Sequence, residues 1–214
     1  MASQNTTEHA GYGLTEKRRA IAQAAHRLFG RDGFTRASVD TIAAEAEVSK
    51  RTVYNHYGSK EQLFLSVLQD SAAAVAKTQA EIIERYLGSI TDLEADLIAF
   101  AHAWISPLID HADHFALIRQ INAEATHIPP AALEAWRIAG PQASEQALAN
   151  QLQRIADRGL LDINDTERAA THLIHLATGE VTQRSFYGAL PLDAGQIDTI
   201  VTSGVQAFLQ LYRP

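Results

Sequence analysis

Residues 49–60, Ser-Lys-Arg-Thr-Val-Tyr-Asn-His-Tyr-Gly-Ser-Lys, crowd cationic, hydroxyl, phenol, amide and imidazole groups into a stretch that fits about two helical turns between its two serines. Such groups meet phosphate oxygens and base edges, with Arg suited to guanine and Asn to adenine. Val53 and Tyr57 stand four apart and can share an inward face, which turns Lys50, Arg51, Thr52, Tyr54, Asn55 and His56 mostly outward. A helix this short and this polar has little reason to exist as packing alone. The chemistry it implies is recognition of duplex DNA.

The flanking residues set the boundaries of that helix. Ser49 can cap its first amides, and Ser59 with Gln62 makes a Ser-x-x-Gln capping box for the next one. Upstream, Ile21, Ala24, Ala25 and Leu28 recur at helical spacing over residues 16–29. Gly30-Arg-Asp-Gly33 is expected to stop that helix and leave Phe34 free to plug the core. Ser38 then reads as the cap of a second helix whose Val39, Ile42, Ala43 and Ala46 form one face. A helix, a turn at Glu47-Val48 and a short polar helix make a helix-turn-helix unit.

Three runs in register sharpen this reading: Phe29-x-x-x-Gly33-Phe34, then Ser38 to Ala46, then Val48 to Phe64. Together they resemble the DNA-binding domain of the tetracycline-repressor (TetR) family. The resemblance implies phosphate contacts for Tyr54, His56 and Lys60; Ser38 would cap a helix whose N-terminus points at a phosphate. Lys50, Arg51, Thr52 and Asn55, on the outer face, would read bases. One departure is Glu47, which stands where the family usually has glycine. A non-glycine residue in left-handed conformation costs about 1–2 kcal/mol, so a slightly reshaped turn is expected.

Charge divides along the chain in a way that fits. The net charge is −7, but residues 1–60 carry +3 and residues 61–214 carry −10. Exposed charges are screened beyond about 8–10 Å, so DNA would meet the local basic face. There are no cysteines, which removes disulfide and thiolate-metal chemistry and suits a reducing cytoplasm. No signal peptide is visible, and no run approaches the roughly 18–20 apolar residues of a membrane span. The expected location is cytoplasmic, without membrane association.

From residue 59 onward the pattern is helical throughout, punctuated by breakers. Helices are expected over 60–87, from a Thr91/Glu94 capping box to about 109, over 113–127, over 131–159 with a break at Gly140-Pro141, over 165–187 with Asn164 as cap, and over 194–212. The last two carry an apolar excess: Ala169, Ala170, Leu173, Ile174 and Ala177 in one, and Ile197, Ile200, Val201, Gly204, Phe208 and Leu211, widened by Val205 and Leu209, in the other. Such helices are buried in their own domain or by a partner. The family resemblance favours a homodimer built through 165–187 and 194–212 as a four-helix bundle.

Phe100, Trp104, Phe115, Ile118, Arg119, Asn122, Trp136 and His175 combine large apolar surfaces with a few polar groups, a mixture suited to a small-molecule cavity or to plain core. Residues 115–124, with Gly140-Pro141 and the Ala-rich helix after it, are similar to the C-terminal domain of the AefR-like subgroup. Nine histidines include the pairs His111/His114 and His172/His175, yet no His-Glu-x-x-His or nucleophile–base–acid set accompanies them. No metal site, catalytic residue or cofactor is expected.

The reading is therefore an all-α chain: an arm over 1–13 expected to be mobile, a three-helix helix-turn-helix domain over 14–60, and a larger helical effector-binding and dimerisation domain over 61–214, joined by a long helix. Its expected function is that of a regulator, most simply a repressor that binds a palindromic double-stranded DNA operator as a dimer and is released by an unidentified small-molecule effector. The alternatives are an activator or effector-independent DNA-binding protein, and an all-α enzyme using its histidines.

Overall fold

A computed structural model describes the backbone of residues 4–214 and the side chains of residues 15–214; the arm expected over 1–13 lies outside the described side chains. Among the described residues every regular element is helical: α1 (Gln4–Arg36), α2 (Val39–Glu45), α3 (Lys50–Tyr57), α4 (Lys60–Leu87), α5 (Leu93–Trp104), α6 (Pro107–Asp110), α7 (Ala112–Glu124), α8 (Pro130–Arg137), α9 (Ala143–Asp157), α10 (Thr166–Arg184) and α11 (Ala194–Tyr212). The chain divides into two compact units, Met1–Asp70 with Ala116–Trp136, and Ser71–Phe115 with Arg137–Pro214. The first unit thus takes in residues 116–136, a segment within the range expected to carry the effector.

In the first unit the periodic residues do what their spacing requires. Ile21, Ala24, Ala25 and Leu28 of α1, Val39, Ile42 and Ala43 of α2, and Val53 of α3 are buried together with Leu63, Phe64 and Val67 of α4. Each large apolar side chain so buried contributes about 1.5–3 kcal/mol. Phe34 does plug this core, its ring 4.8 Å from Phe64 and 6.4 Å from Phe29. The helix stop falls at the far end of the expected Gly30–Gly33 run: α1 continues through Gly30 and breaks at Gly33 (φ 82, ψ 173). That backbone region is open essentially to glycine alone, whereas Gly30 has no such demand on it.

The second unit is centred on one cluster. Ile83 and Leu87 of α4, Leu97, Phe100 and Trp104 of α5, Leu148 and Leu152 of α9, Leu173 of α10, and Val205 and Phe208 of α11 pack together. Two caps fall one residue later than the sequence suggested. Asp92, not Thr91, caps α5 by accepting from the Ala95 amide, while Asp96 reaches back to the amides of Thr91 and Asp92. Asp165, not Asn164, caps α10. In both places a carboxylate displaced a neutral neighbour, and a negative charge at a helix N-terminus is favoured by the helix dipole. Pro107 opens α6 at the position where its missing N–H is harmless.

The expected break at Gly140-Pro141 is a single π-helical turn over residues 138–142, so the chain stays helical through it. A proline ring inside an α-helix collides with the carbonyl four residues back; the wider turn relieves that. Gly140 is buried against α4, where a Cβ would lie 2.8 Å from the Ala72 Cβ.

The apolar excess of α10 and α11 is spent largely within the chain. Ala169, Ala170, Leu173, Ala177, Val201, Val205, Phe208 and Leu209 are all buried within the single chain, whereas Leu211, expected on the same face, lies past the packed stretch and is 62% exposed. The two helices cross closely at Gly204, where a Cβ would fall on the Leu176 carbonyl and the Ala177 Cα.

Candidate nucleic-acid interface

α3 is held from beneath and open above. Val53 and Tyr57 are buried; Lys50, Arg51, Tyr54 and Asn55 are exposed, and Thr52 and His56 are half-buried. Ser49 caps it, accepting from the Thr52 amide at 3.1 Å and meeting the Thr52 hydroxyl at 2.8 Å. The Tyr57 hydroxyl donates to the Arg18 carbonyl at 3.0 Å, and the Arg18 guanidinium lies over its ring. Burial raises the Tyr57 pKa above its ordinary value, with Arg18 acting in the opposite direction.

The turn before α3 has the form of a Schellman motif. The Val48 amide donates to the Ala43 carbonyl at 2.9 Å and the Glu47 amide to the Ala44 carbonyl at 3.2 Å. Such a motif places its first residue after the cap in left-handed conformation, and Glu47 has φ 54. The turn is not reshaped, contrary to expectation. Glutamate accepts the conformation that glycine normally supplies, because two backbone hydrogen bonds hold it there.

The expected DNA-facing residues differ in how freely they stand. Arg51 and Asn55 project from the outer face of α3. Lys50 is tied to Asp40 of α2 at 2.9 Å; the attraction raises its pKa. Ser38 is exposed and caps α2, accepting from the Thr41 amide at 3.0 Å. Lys60 is half-buried: its ammonium lies 4.7 Å from the Phe34 ring centre and donates to the Thr35 carbonyl at 3.3 Å. Burial lowers its pKa, with Glu61 and Glu124 acting against that. The Ser59 half of the capping box forms, its hydroxyl accepting from the Gln62 amide at 3.2 Å.

A capped, polar-faced short helix after a tight turn on a three-helix core is the arrangement of a helix-turn-helix reader, and comparison with known proteins agrees. Residues 21–67 match the pattern of bacterial regulatory proteins of the tetR family, and residues 95–214 match the AefR-like transcriptional repressor C-terminal domain. The chain belongs to the TetR family. Members are DNA-binding transcriptional regulators and not enzymes. A TetR-family regulator of known structure from Mesorhizobium loti is 29% identical, with a TM-score of 0.83 over 94% of this chain and 98% of that one. The flavonoid-responsive regulator FrrA is 27% identical, with a TM-score of 0.72 over 92% and 97%. Among curated relatives, the repressor NicS of Pseudomonas putida is 36% identical over 29% of each chain. The repressor AcnR of Corynebacterium glutamicum is 31% identical over 40% of this chain and 46% of that one. The chain spans less than half the length of these curated relatives.

TetR-family regulators usually respond to small molecules, and the residues expected to line such a cavity scatter. Phe100 and Trp104 pair at 5.3 Å inside the main cluster, where they serve packing. Phe115 packs against a separate cluster of Leu108, Val181 and Ile200. Ile118 is buried and Arg119 half-buried. Asn122 and His175 were expected in the interior; both are exposed, because each lies on the outer side of a helix whose buried stripe is formed by neighbours such as Ile121 and Leu173. Trp136 is half-buried, and its indole N–H is buried with no acceptor among the described residues.

Three of the four paired histidines have structural partners. His111 meets the Thr78 hydroxyl at 3.0 Å, His114 the Ser71 hydroxyl at 2.8 Å, and His172 the Tyr212 hydroxyl at 2.7 Å. Among the described residues no three potential ligands gather as a metal site, and no helix is long and apolar enough to cross a membrane.

Proposed function

We propose that this chain is a repressor that binds a palindromic operator as a homodimer and leaves it when a small molecule binds. The observation that carries the reading is the outward set Arg51, Tyr54 and Asn55 on a helix anchored by Val53 and Tyr57. Arg51 and Asn55 read base edges, with Lys50 and Thr52 contributing from the first turn; Ser38, Tyr54, His56 and Lys60 set the phosphate register. A DNA target implies a cytoplasmic protein.

Two-fold DNA reading needs two copies about one helical turn of DNA apart. The proposed interface is the outer side of α10 with α11, where Leu176 is left 38% exposed. For the effector, the unpaired Trp136 N–H supports a ligand with an acceptor oxygen. FrrA's name points to planar aromatic compounds, so flavonoids are the first class to try.

The deciding experiment is selection of bound duplexes from a random pool, followed by release assays with a flavonoid panel. Recovery of a palindrome is the expected result. Enrichment of no sequence over the starting pool would rule the reading out.

A further inference from the structure

We propose that Glu124, the last residue of α7, is a positioning residue that fastens α7 to the junction between α1 and α2, so that α7 sets where the DNA-facing helices stand. This deepens the ligand-released reading and rests on it.

The junction is built to be gripped. Gly33 breaks α1, which removes the regular helical partner from the amide that follows two residues later. That amide, Thr35 N–H, donates to Glu124 Oε2 at 3.0 Å. The Thr35 carbonyl accepts from Lys60 Nζ at 3.3 Å. Both main-chain groups of one residue are therefore held by side chains, one from α7 and one from the start of α4. Glycine at 33 is what lets the carboxylate come so close. A Cβ there would lie 2.6 Å from Glu124 Oε1 and 3.0 Å from Gln120 Oε1.

Helix stability does not explain the choice of glutamate. A negative charge at a helix C-terminus opposes the dipole, where Lys or Arg would help. The residue is wrong for α7 and right for Thr35. Three residues beyond Thr35 stands Ser38, the cap of α2, and α2 leads through the Glu47 turn to α3. At its other end α7 carries His114, bonded to Ser71. A shift of α7 along its own axis would thus be delivered to Ser38 through three residues of chain.

The test uses the full chain, a duplex from the random-pool selection, and hydrogen exchange read by mass spectrometry. In the free protein Glu124→Ala should speed exchange of the Thr35 amide about tenfold or more, since a charge-assisted bond is lost. Glu124→Gln keeps an acceptor oxygen and should give a smaller increase. With duplex added, the parent protein should gain protection over 116–124 as well as over 33–57; in Glu124→Ala the gain should be confined to 33–57, with affinity changed less than threefold. Equal spread of protection in both proteins, with tight binding in both, would overturn the positioning role alone. Failure of the parent protein to bind any duplex would overturn the repressor reading and this one with it. If Glu124→Ala does not fold, the glutamine variant decides by the same comparison.

Discussion

Arg51 and Asn55 are exposed on a helix whose inward residues are fixed. Arg51→Ala is expected to cost about 1–3 kcal/mol of binding and to relax preference at one operator position. A uniform loss on all duplexes, measured by anisotropy, would make Arg51 a phosphate anchor instead. Glu47 stores strain that glycine would release. Glu47→Gly is expected to stabilise the protein by about 1 kcal/mol, raising the melting midpoint by a few degrees in calorimetry, with operator preference unchanged. Tyr57 gives a pH dependence whose sign is set by its raised pKa. Its stabilising contribution is complete below the ordinary tyrosine value near 10 and is lost as pH rises through the higher folded value. Tyr57→Phe should remove that alkaline loss, at a cost of about 1 kcal/mol for the bond to Arg18. Urea titrations at pH 7 and above pH 10 would check both statements.

Among the elements, the α10–α11 crossing depends on a residue that has no side chain. At Gly204 a methyl group would meet backbone, which cannot swing aside as a side-chain tip can. Gly204→Ala is expected to destabilise by about 3 kcal/mol, the upper end of ordinary overpacking, and to lower the urea midpoint accordingly. Gly33 poses a different demand, a backbone conformation closed to other residues. The strand-free order of helices was legible in hydrophobic spacing; α4 and α11 begin and end where the sequence placed them. The caps were less legible, because Thr91 and Asp92, or Asn164 and Asp165, are adjacent candidates that only three-dimensional geometry separates.

At the scale of the whole molecule, the charge division lets one acidic chain carry a basic helix-turn-helix segment over residues 1–60. If two copies each bring several cations to the phosphates, affinity should fall roughly a thousandfold between 50 and 200 mM salt. Gel-shift titrations across that range would check it; a flat profile would mean that the cationic groups stand away from DNA. The proposed dimer is tested by Leu176→Glu, which buries a charge only if the outer side of α10 is an interface. Sedimentation should then show monomer and a loss of operator binding, with the helical signal intact.

Sequence alone determined the helical class, the helix-turn-helix block and the outward set on α3, because those follow from local spacing, capping chemistry and side-chain type. Tertiary structure decided what depends on distant neighbours. It drew Lys60 onto Thr35, tied Lys50 to Asp40, left Asn122 and His175 exposed, and brought Glu124 to an amide 89 residues away. Periodicity reports which face of a helix is apolar; which element comes to cover that face is settled only when the chain closes on itself.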